Sequence, residues 1–215
     1  MTVIFDFDGT LANTLDTFIE IYNTYIVKEF KCKPFDKSRL SEFQSKPPKE
    51  FMSDFGVTLW KLPFIALRAR NLLIKQMPNV EPFQGILELT HQLQPYFNIG
   101  IVSSNSEKNV RLFLNKHQIS SLFQFVNGGQ SMMSKQKALE RVIKKHELKK
   151  SEIIYVGDEI RDIESCKLVG IACVAVTWGH QKRDLLQGYQ PDALVDNPNE
   201  LWNYLLQWKQ KITNA

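Results

Sequence analysis

Cysteine is scarce in this 215-residue chain. The three present, Cys32, Cys166 and Cys173, have no metal-ligand spacing and exclude a disulfide scaffold. They fit a reducing compartment, where a thiol packs as a small apolar group. No hydrophobic run approaches membrane-spanning length, and the chain enters "VIFDFDG" without a basic region or a signal-type apolar stretch. Low-complexity tracts and an acidic tail are also missing. Charge of one sign is not in large excess: the net charge is +4, with the lysines scattered rather than gathered in a block. That distribution gives no argument for nucleic-acid binding and only weakly favours small anionic substrates. A soluble cytoplasmic protein, without membrane or nucleic-acid partners, is the expectation.

What is present is a change of period. "TVIFDFDGT" (residues 2–10) opens as a buried strand, and it ends in two acids one residue apart followed by a turn. From Leu15 the apolar positions Phe18, Ile19, Tyr22 and Ile26 recur at three and four residues, predicting an amphipathic helix with Thr14 as N-cap. Prolines at 34, 47 and 48 interrupt further helix, a periodic segment runs from Leu59 to Met77, and no strand is expected between Thr14 and Pro82.

Beyond Pro82 strands and helices alternate. Helices are predicted over 83–94, 107–117, 134–147, 163–170 and 199–211; strands are predicted in "FNIGIV", "FQFV", "IIYVG", "IACVAV" and "DALVD". Such alternation implies an α/β fold, a mainly parallel sheet with helices on both faces. The helical block then interrupts the sheet after its first strand: residues 1–12 and 83–215 form a core, and 13–82 an inserted all-helical domain.

In an open parallel sheet, ligands sit outside the carboxyl ends of the strands. Read in order, those ends carry Asp6, Asp8, Gly9 and Thr10; Ser103, Ser104 and Asn105; Lys135 at a helix start; and Asp158, Glu159 and Asp162. Asp6, Asp158 and Asp162 on one rim would repel one another without a cation between them, and an all-oxygen set suits Mg²⁺. Ser103 can donate to a phosphate oxygen and Lys135 can neutralise its charge, while the backbone amides of the Gly9-Thr10 and Ser103-Ser104 turns add donors. Lys137 competes with Lys135, since one turn of helix can present either. Asn105 has the alternative of capping the following helix.

"DFDGTL", "IVSSN", "SKQKAL" and "VGDEIRD" occur in the order and spacing of the four motifs of the haloacid dehalogenase-like hydrolases. The chain most resembles their phosphoglycolate phosphatase-like branch, including "PFQGILELTHQL" and "GIACVAVTWG" outside the motifs. The resemblance implies a Rossmann-like core with a helical cap, Mg²⁺ as cofactor, and a small phosphorylated metabolite as partner, in a monomer or homodimer. It makes Asp6 the nucleophile forming an aspartyl-phosphate and Asp8 the general acid and later base. Metal ligation falls to Asp6, Asp158 and the backbone carbonyl of Asp8, with Asp162 acting directly or through water and Glu159 outside the ligand set. "LANT" departs from the family pattern at Asn13 and Thr14, where acidic and Ser residues are common.

Asp8 argues against a dehalogenase acting on carbon. A phosphomutase of the β-phosphoglucomutase kind shares the same acids, and a non-catalytic binding protein could retain the fold. Several other residues have ordinary readings. Trp178 and His180 are expected as a packed Trp and a surface His, Lys46 and Lys49 as parts of a solvated loop. Leu201, Trp202, Leu205, Leu206 and Trp208 are expected as a helix packed on the sheet edge, with room for a dimer contact.

Overall fold

In the computed structural model, which describes residues 1–46, 54–58, 60–129 and 135–214, the first strand β1 (Thr2–Phe5) is buried on both faces. A strand covered twice reads as a continuous apolar run rather than an alternating one, as "TVIF" does. It pairs in parallel with β2 (Asn98–Val102) on one side and β4 (Ile153–Gly157) on the other. The strands β3 (Phe123–Asn127), β5 (Ala172–Val176) and β6 (Ala193–Val195) complete a parallel sheet of order β3-β2-β1-β4-β5-β6. Strand order reverses between β1 and β4, and a crevice opens there at the carboxyl ends.

Alternation along β1 divides the core. Val3 and Phe5 face one apolar layer with Ile99, Ile101, Ile154 and Val156, and Ile4 faces the other with Val102 and Tyr155. Ten helices are numbered here among the described residues: α1 (Leu15–Ile21), α2 (Val27–Phe30), α3 (Leu40–Ser45), α4 (Leu62–Gln76), α5 (Ile86–Leu93), α6 (Glu107–Lys116), α7 (Lys135–Lys145), α8 (Ile160–Val169), α9 (Arg183–Gly188) and α10 (Pro198–Thr213). Buried residues of α4, α5, α6 and α10 fill the first layer, and those of α7 and α8 the second. Leu201, Leu205 and Trp208 of α10 lie buried in the first layer, as their spacing predicts.

The described residues between Thr14 and Asn79 contain no strand. Where this helical segment leaves and rejoins the sheet the two connections lie side by side: Asn13 N–H donates to Glu81 O (2.9 Å) and Phe83 N–H to Leu11 O (3.2 Å). The predicted first helix differs in two ways. Tyr22–Ile26 form a π-helical turn between α1 and α2, and the Asn23 side chain on that turn exchanges hydrogen bonds with the Phe35 backbone in both directions (2.7 and 2.8 Å). Thr14 makes no side-chain capping bond. The helix predicted over 83–94 begins only at Ile86, because Gly85 before it is left-handed (φ 82°). Helix α9 had no expectation from sequence. Ser134 and Leu59, the predicted starts of two helices, and Pro47, Pro48 and Lys49 lie outside the described residues. Lys46 pairs with Glu42 (2.7 Å).

Candidate active site

The spacing of Asp6 and Asp8 follows from the residue between them. Phe7 is fully buried and packs edge-on against Phe113 of α6, with centroids 5.1 Å apart. An extended chain that commits Phe7 to the core turns both neighbouring carboxylates the other way. The chain then reverses around the Phe7 carbonyl, which accepts from the N–H groups of Thr10, Leu11 and Ala12 (3.3, 3.0 and 2.9 Å). Gly9 makes this possible: its φ is +77°, and a Cβ there would fall 2.1 Å from Asp158 Oδ2.

The structure brings the acids of β1 and β4 together. Asp6 Oδ1 accepts from Phe7 N–H (2.7 Å), and Asp6 Oδ2 accepts from Lys135 Nζ (2.6 Å). Lys135 also donates to Asp162 Oδ1. It is buried, with its Nζ 5.2 Å from the ring centroid of Tyr155, whereas Lys137 is exposed. Asp158 accepts from Thr10 Oγ1 (2.8 Å) and from His180 N–H (2.8 Å). Asp162 Oδ2 accepts from the N–H groups of Asp158 and Glu159 (3.1 and 3.0 Å) and closes a capping box with Glu159 at the start of α8.

The predicted phosphate contacts fall differently. Gly9 N–H is bonded to Ala12 O (3.0 Å) and Thr10 N–H to Phe7 O, so these amides hold the turn and the Thr10 hydroxyl holds Asp158. Ser103 is buried at the end of β2 and its Oγ accepts from Asn105 N–H (3.1 Å), which leaves its own proton to donate. Ser104 is half-buried beside it. The cap of α6 is Ser106, whose Oγ accepts from Asn109 N–H (3.1 Å). Asn105, relieved of capping, turns instead to the acid: its Nδ2 donates to both Asp8 oxygens (3.0 and 3.1 Å).

The loop after β5 corrects one expectation. His180 is not a surface residue: 12% of its side chain is exposed, and its Nδ1 lies 3.5 Å from both Asp158 Oδ2 and Glu159 Oε1. Trp178 Nε1 donates to Thr10 O (3.1 Å), and Gln181 Oε1 accepts from Ile160 N–H (2.6 Å). A Cβ on Gly179 would stand 2.3 Å from Asp158 Cβ. The whole loop is laid over Asp158. In sequence it carries only a Trp-Gly pair after a strand, a signal that names no partner.

Burial and mutual repulsion dominate the electrostatics. Burial, then the neighbouring Asp6 charge, raises Asp8 to about 6, against the lowering effect of His180, Asn105 and Thr14. Burial raises Asp158 to about 7 and Asp162 to about 6. Burial opposes the charges of Lys135 and His180, but the surrounding carboxylates outweigh it and hold both above their ordinary values, His180 at about 9. Glu159 is lowered to about 2 despite its burial, chiefly by Arg161, which donates to it (3.0 Å), and by His180.

With every group ionised, Asp6, Asp8, Asp158, Glu159 and Asp162 carry five negative charges against three positive on Lys135, Arg161 and His180. A divalent cation cancels the difference. One carboxylate oxygen from each of Asp6, Asp158 and Asp162 lies within 4.8 Å of the other two, and an all-carboxylate donor set fits a hard ion. Asp6 and Asp158 each accept one hydrogen bond per oxygen, whereas Asp162 accepts three in all, two of them on Oδ2, and so has less lone-pair capacity left for an ion.

The family described as haloacid dehalogenase-like hydrolase matches residues 3–176. A phosphoglycolate phosphatase of Synechococcus elongatus is 32% identical over 206 residues, covering 95% of this chain and 97% of that protein. A pyrophosphatase PpaX of Bacillus cereus is 25% identical, covering 93% and 94%. Among solved structures, that of a predicted phosphatase from Clostridium acetobutylicum superposes with a TM-score of 0.82 at 20% identity, over 96% of this chain and 98% of that one. This last likeness speaks to the fold alone.

Proposed function

The chain belongs to the haloacid dehalogenase-like hydrolases, and from that premise we propose that it is a Mg²⁺-dependent phosphatase acting on a small phosphomonoester through an aspartyl-phosphate. The observation that carries the proposal is the Asp6–Asp8 pair: two carboxylates on one side of Phe7, one held by a buried lysine and the other, raised to about 6, gripped by Asn105. A proton donor poised near neutrality beside a second carboxylate paired with a lysine is what ester cleavage with a poor leaving group requires.

Asp6 attacks phosphorus; a bond forms between its carboxylate oxygen and phosphorus as the ester P–O bond breaks. Asp8, protonated, gives its proton to the departing oxygen, which leaves as an alcohol. Asp8, now a carboxylate, takes a proton from water as that water's oxygen attacks the aspartyl-phosphate. The P–O bond to Asp6 breaks, inorganic phosphate departs, Asp6 is again a carboxylate and Asp8 is again protonated. Lys135 and Ser103 hold the phosphoryl oxygens and Ser104 borders them; Gly9 and Thr10 act on this site indirectly, by holding the turn and Asp158. The Asp6 and Asp158 carboxylates with the Asp8 carbonyl would hold Mg²⁺, and Asp162, which anchors Lys135, would support the ion from beside them. When bound, the ion neutralises charge on the phosphoryl group.

Residues 13–82 form the cap in this reading. The paired connections at 12–13 and 82–83 are its hinge, and closure excludes bulk water during transfer. Phosphoglycolate is the first candidate substrate, by likeness to the cyanobacterial enzyme. Pyrophosphate is the second, by likeness to PpaX. A reducing, cytoplasmic setting suits the three free, buried thiols.

The test is phosphate release from a panel containing phosphoglycolate, sugar phosphates, pyrophosphate and an aryl phosphate, with Mg²⁺ and with EDTA. Release that needs the metal and disappears in a folded Asp6→Asn variant is expected. Undiminished release by Asp6→Asn would remove Asp6 as nucleophile; silence of the native chain on every compound would remove the phosphatase reading.

A further inference from the structure

We infer that Asn109 is a positioning residue that ties the seating of helix α4 to the orientation of Asp8. The inference rests on the phosphatase reading, in which Asp8 is the acid and base. Asn109 is fully buried in the first turn of α6, 101 positions along the chain from Asp8, and its side-chain hydrogen bonds go to Arg70 and Asn105. Its Nδ2 donates in two directions: to the backbone carbonyl of Arg70 on α4 (3.2 Å) and to Asn105 Oδ1 (2.9 Å). Asn105 in turn donates from Nδ2 to both oxygens of Asp8.

The chemistry of the acceptors fixes the order of this relay. Arg70 O and Asn105 Oδ1 can only accept, so the Asn109 amide cannot flip without setting its own oxygen against two others. Asn105 Oδ1 also accepts from Ser106 N–H (2.8 Å), and with its oxygen held from two sides its nitrogen must point at Asp8. Asn109 Oδ1 is buried without a partner, so packing alone gives this amide no preferred direction; its two acceptors do. One of those acceptors belongs to the helical segment. If α4 lifts, Asn109 keeps only one of the two acceptors that orient it, its donation to Asn105 is less firmly aligned, and the hold on Asp8 loosens. The acid is thus best aligned while the helical segment is seated, and a less firmly held carboxyl transfers its proton less efficiently.

Asn109→Leu, close in shape and without a donor, tests this, with Asn109→Ser as a second variant should Leu impair folding. Two esters are compared with Mg²⁺ present: phosphoglycolate, whose alkoxide must be protonated to leave, and p-nitrophenyl phosphate, whose phenolate leaves unaided. The expected result is a selective defect. The p-nitrophenolate burst, one equivalent per enzyme, stays within a few-fold of native, while kcat for phosphoglycolate falls about 10- to 100-fold with little change in KM. Equal losses on both esters in the burst phase, or no loss on either, would overturn the positioning role while the native enzyme's turnover leaves the phosphatase reading standing. Silence of the native chain on both esters would take down that reading, and this inference with it.

Discussion

Replacing Asp8 with Asn is expected to make the metal-free protein more stable and the enzyme inactive. Asp8 is 7% exposed, and burial with the adjacent Asp6 charge lifts its pKa from 3.8 to about 6. A folded-state pKa above the unfolded one means that folding favours the protonated form. The stabilisation is complete below the unfolded pKa and is lost as pH rises through the folded one. At pH 8 the ionised Asp8 therefore costs about 3 kcal/mol, two pKa units at about 1.4 kcal/mol each. An amide is nearly isosteric, can turn its oxygen toward Asn105 Nδ2, and carries no charge to bury. Thermal unfolding followed by circular dichroism in EDTA should find the variant melting about 6–12 °C higher at pH 8. The gain should fall to roughly half near pH 5 and almost vanish near pH 4, where native Asp8 is itself neutral. Turnover should drop at least ~100-fold. A variant less stable than native at pH 8, or a gain that does not change with pH, would refute the claim that burial and repulsion set the state of this carboxyl.

The same linkage governs the metal-binding acids. Asp158, at about 7, and Asp162, at about 6, are both raised, so the metal-free chain should lose stability between pH 5 and pH 8. His180, raised from 6.5 to about 9, loses its contribution in the same direction as pH rises from about 6.5 to 9, overlapping the upper part of that window. Added Mg²⁺ should raise the melting temperature more at pH 8 than at pH 5, since protons and the cation compete for the same oxygens; an equal rise at both would count against these residues as ligands. Gly179→Ala places a Cβ 2.3 Å from Asp158 Cβ and 2.4 Å from Gly9 O. It should cost about 1–3 kcal/mol of stability and abolish the Mg²⁺-dependent shift, and an unchanged shift would mean that the loop yields without moving Asp158. Small-angle scattering with and without a phosphate analogue should register closure of residues 13–82, and superimposable curves would argue against it.

Which features were legible follows from their range in sequence. The strands announced themselves because a sheet covered on both faces demands continuous apolar runs, and "VIF", "IGIV" and "IIYVG" supply them between helices of different period. Helix after β1 was legible from a different period, apolar positions recurring at three and four residues. The π turn at Tyr22–Ile26 was not, because Asn23 acts there on the backbone of Phe35, twelve residues away, a pairing with no periodic trace. Helix α9 is only six residues long, too short for a periodicity to separate it from a loop.

At the site the division is sharper and has a physical cause. Acids at the ends of β1 and β4 are legible because strand topology alone brings those ends together, whatever the side chains around them do. The residues that control how the acids behave reach them from elsewhere: Asn105 across 97 positions to Asp8, His180 across 22 to Asp158, Thr10 across 148 to Asp158. Thr10 looked like a phosphate donor because its turn precedes a helix, but its hydroxyl meets a carboxylate that only the folded sheet places beside it. Asn105 had helix capping as one open reading for want of any visible partner, and the cap fell to Ser106, one residue on. His180 shows the limit most plainly. A histidine a few residues past an apolar strand most often meets water; here Gly179 has no side chain, the loop can therefore close onto Asp158, and the ring is drawn between two carboxylates that hold it charged. The identity of the neighbouring glycine, not of the histidine, decides that outcome.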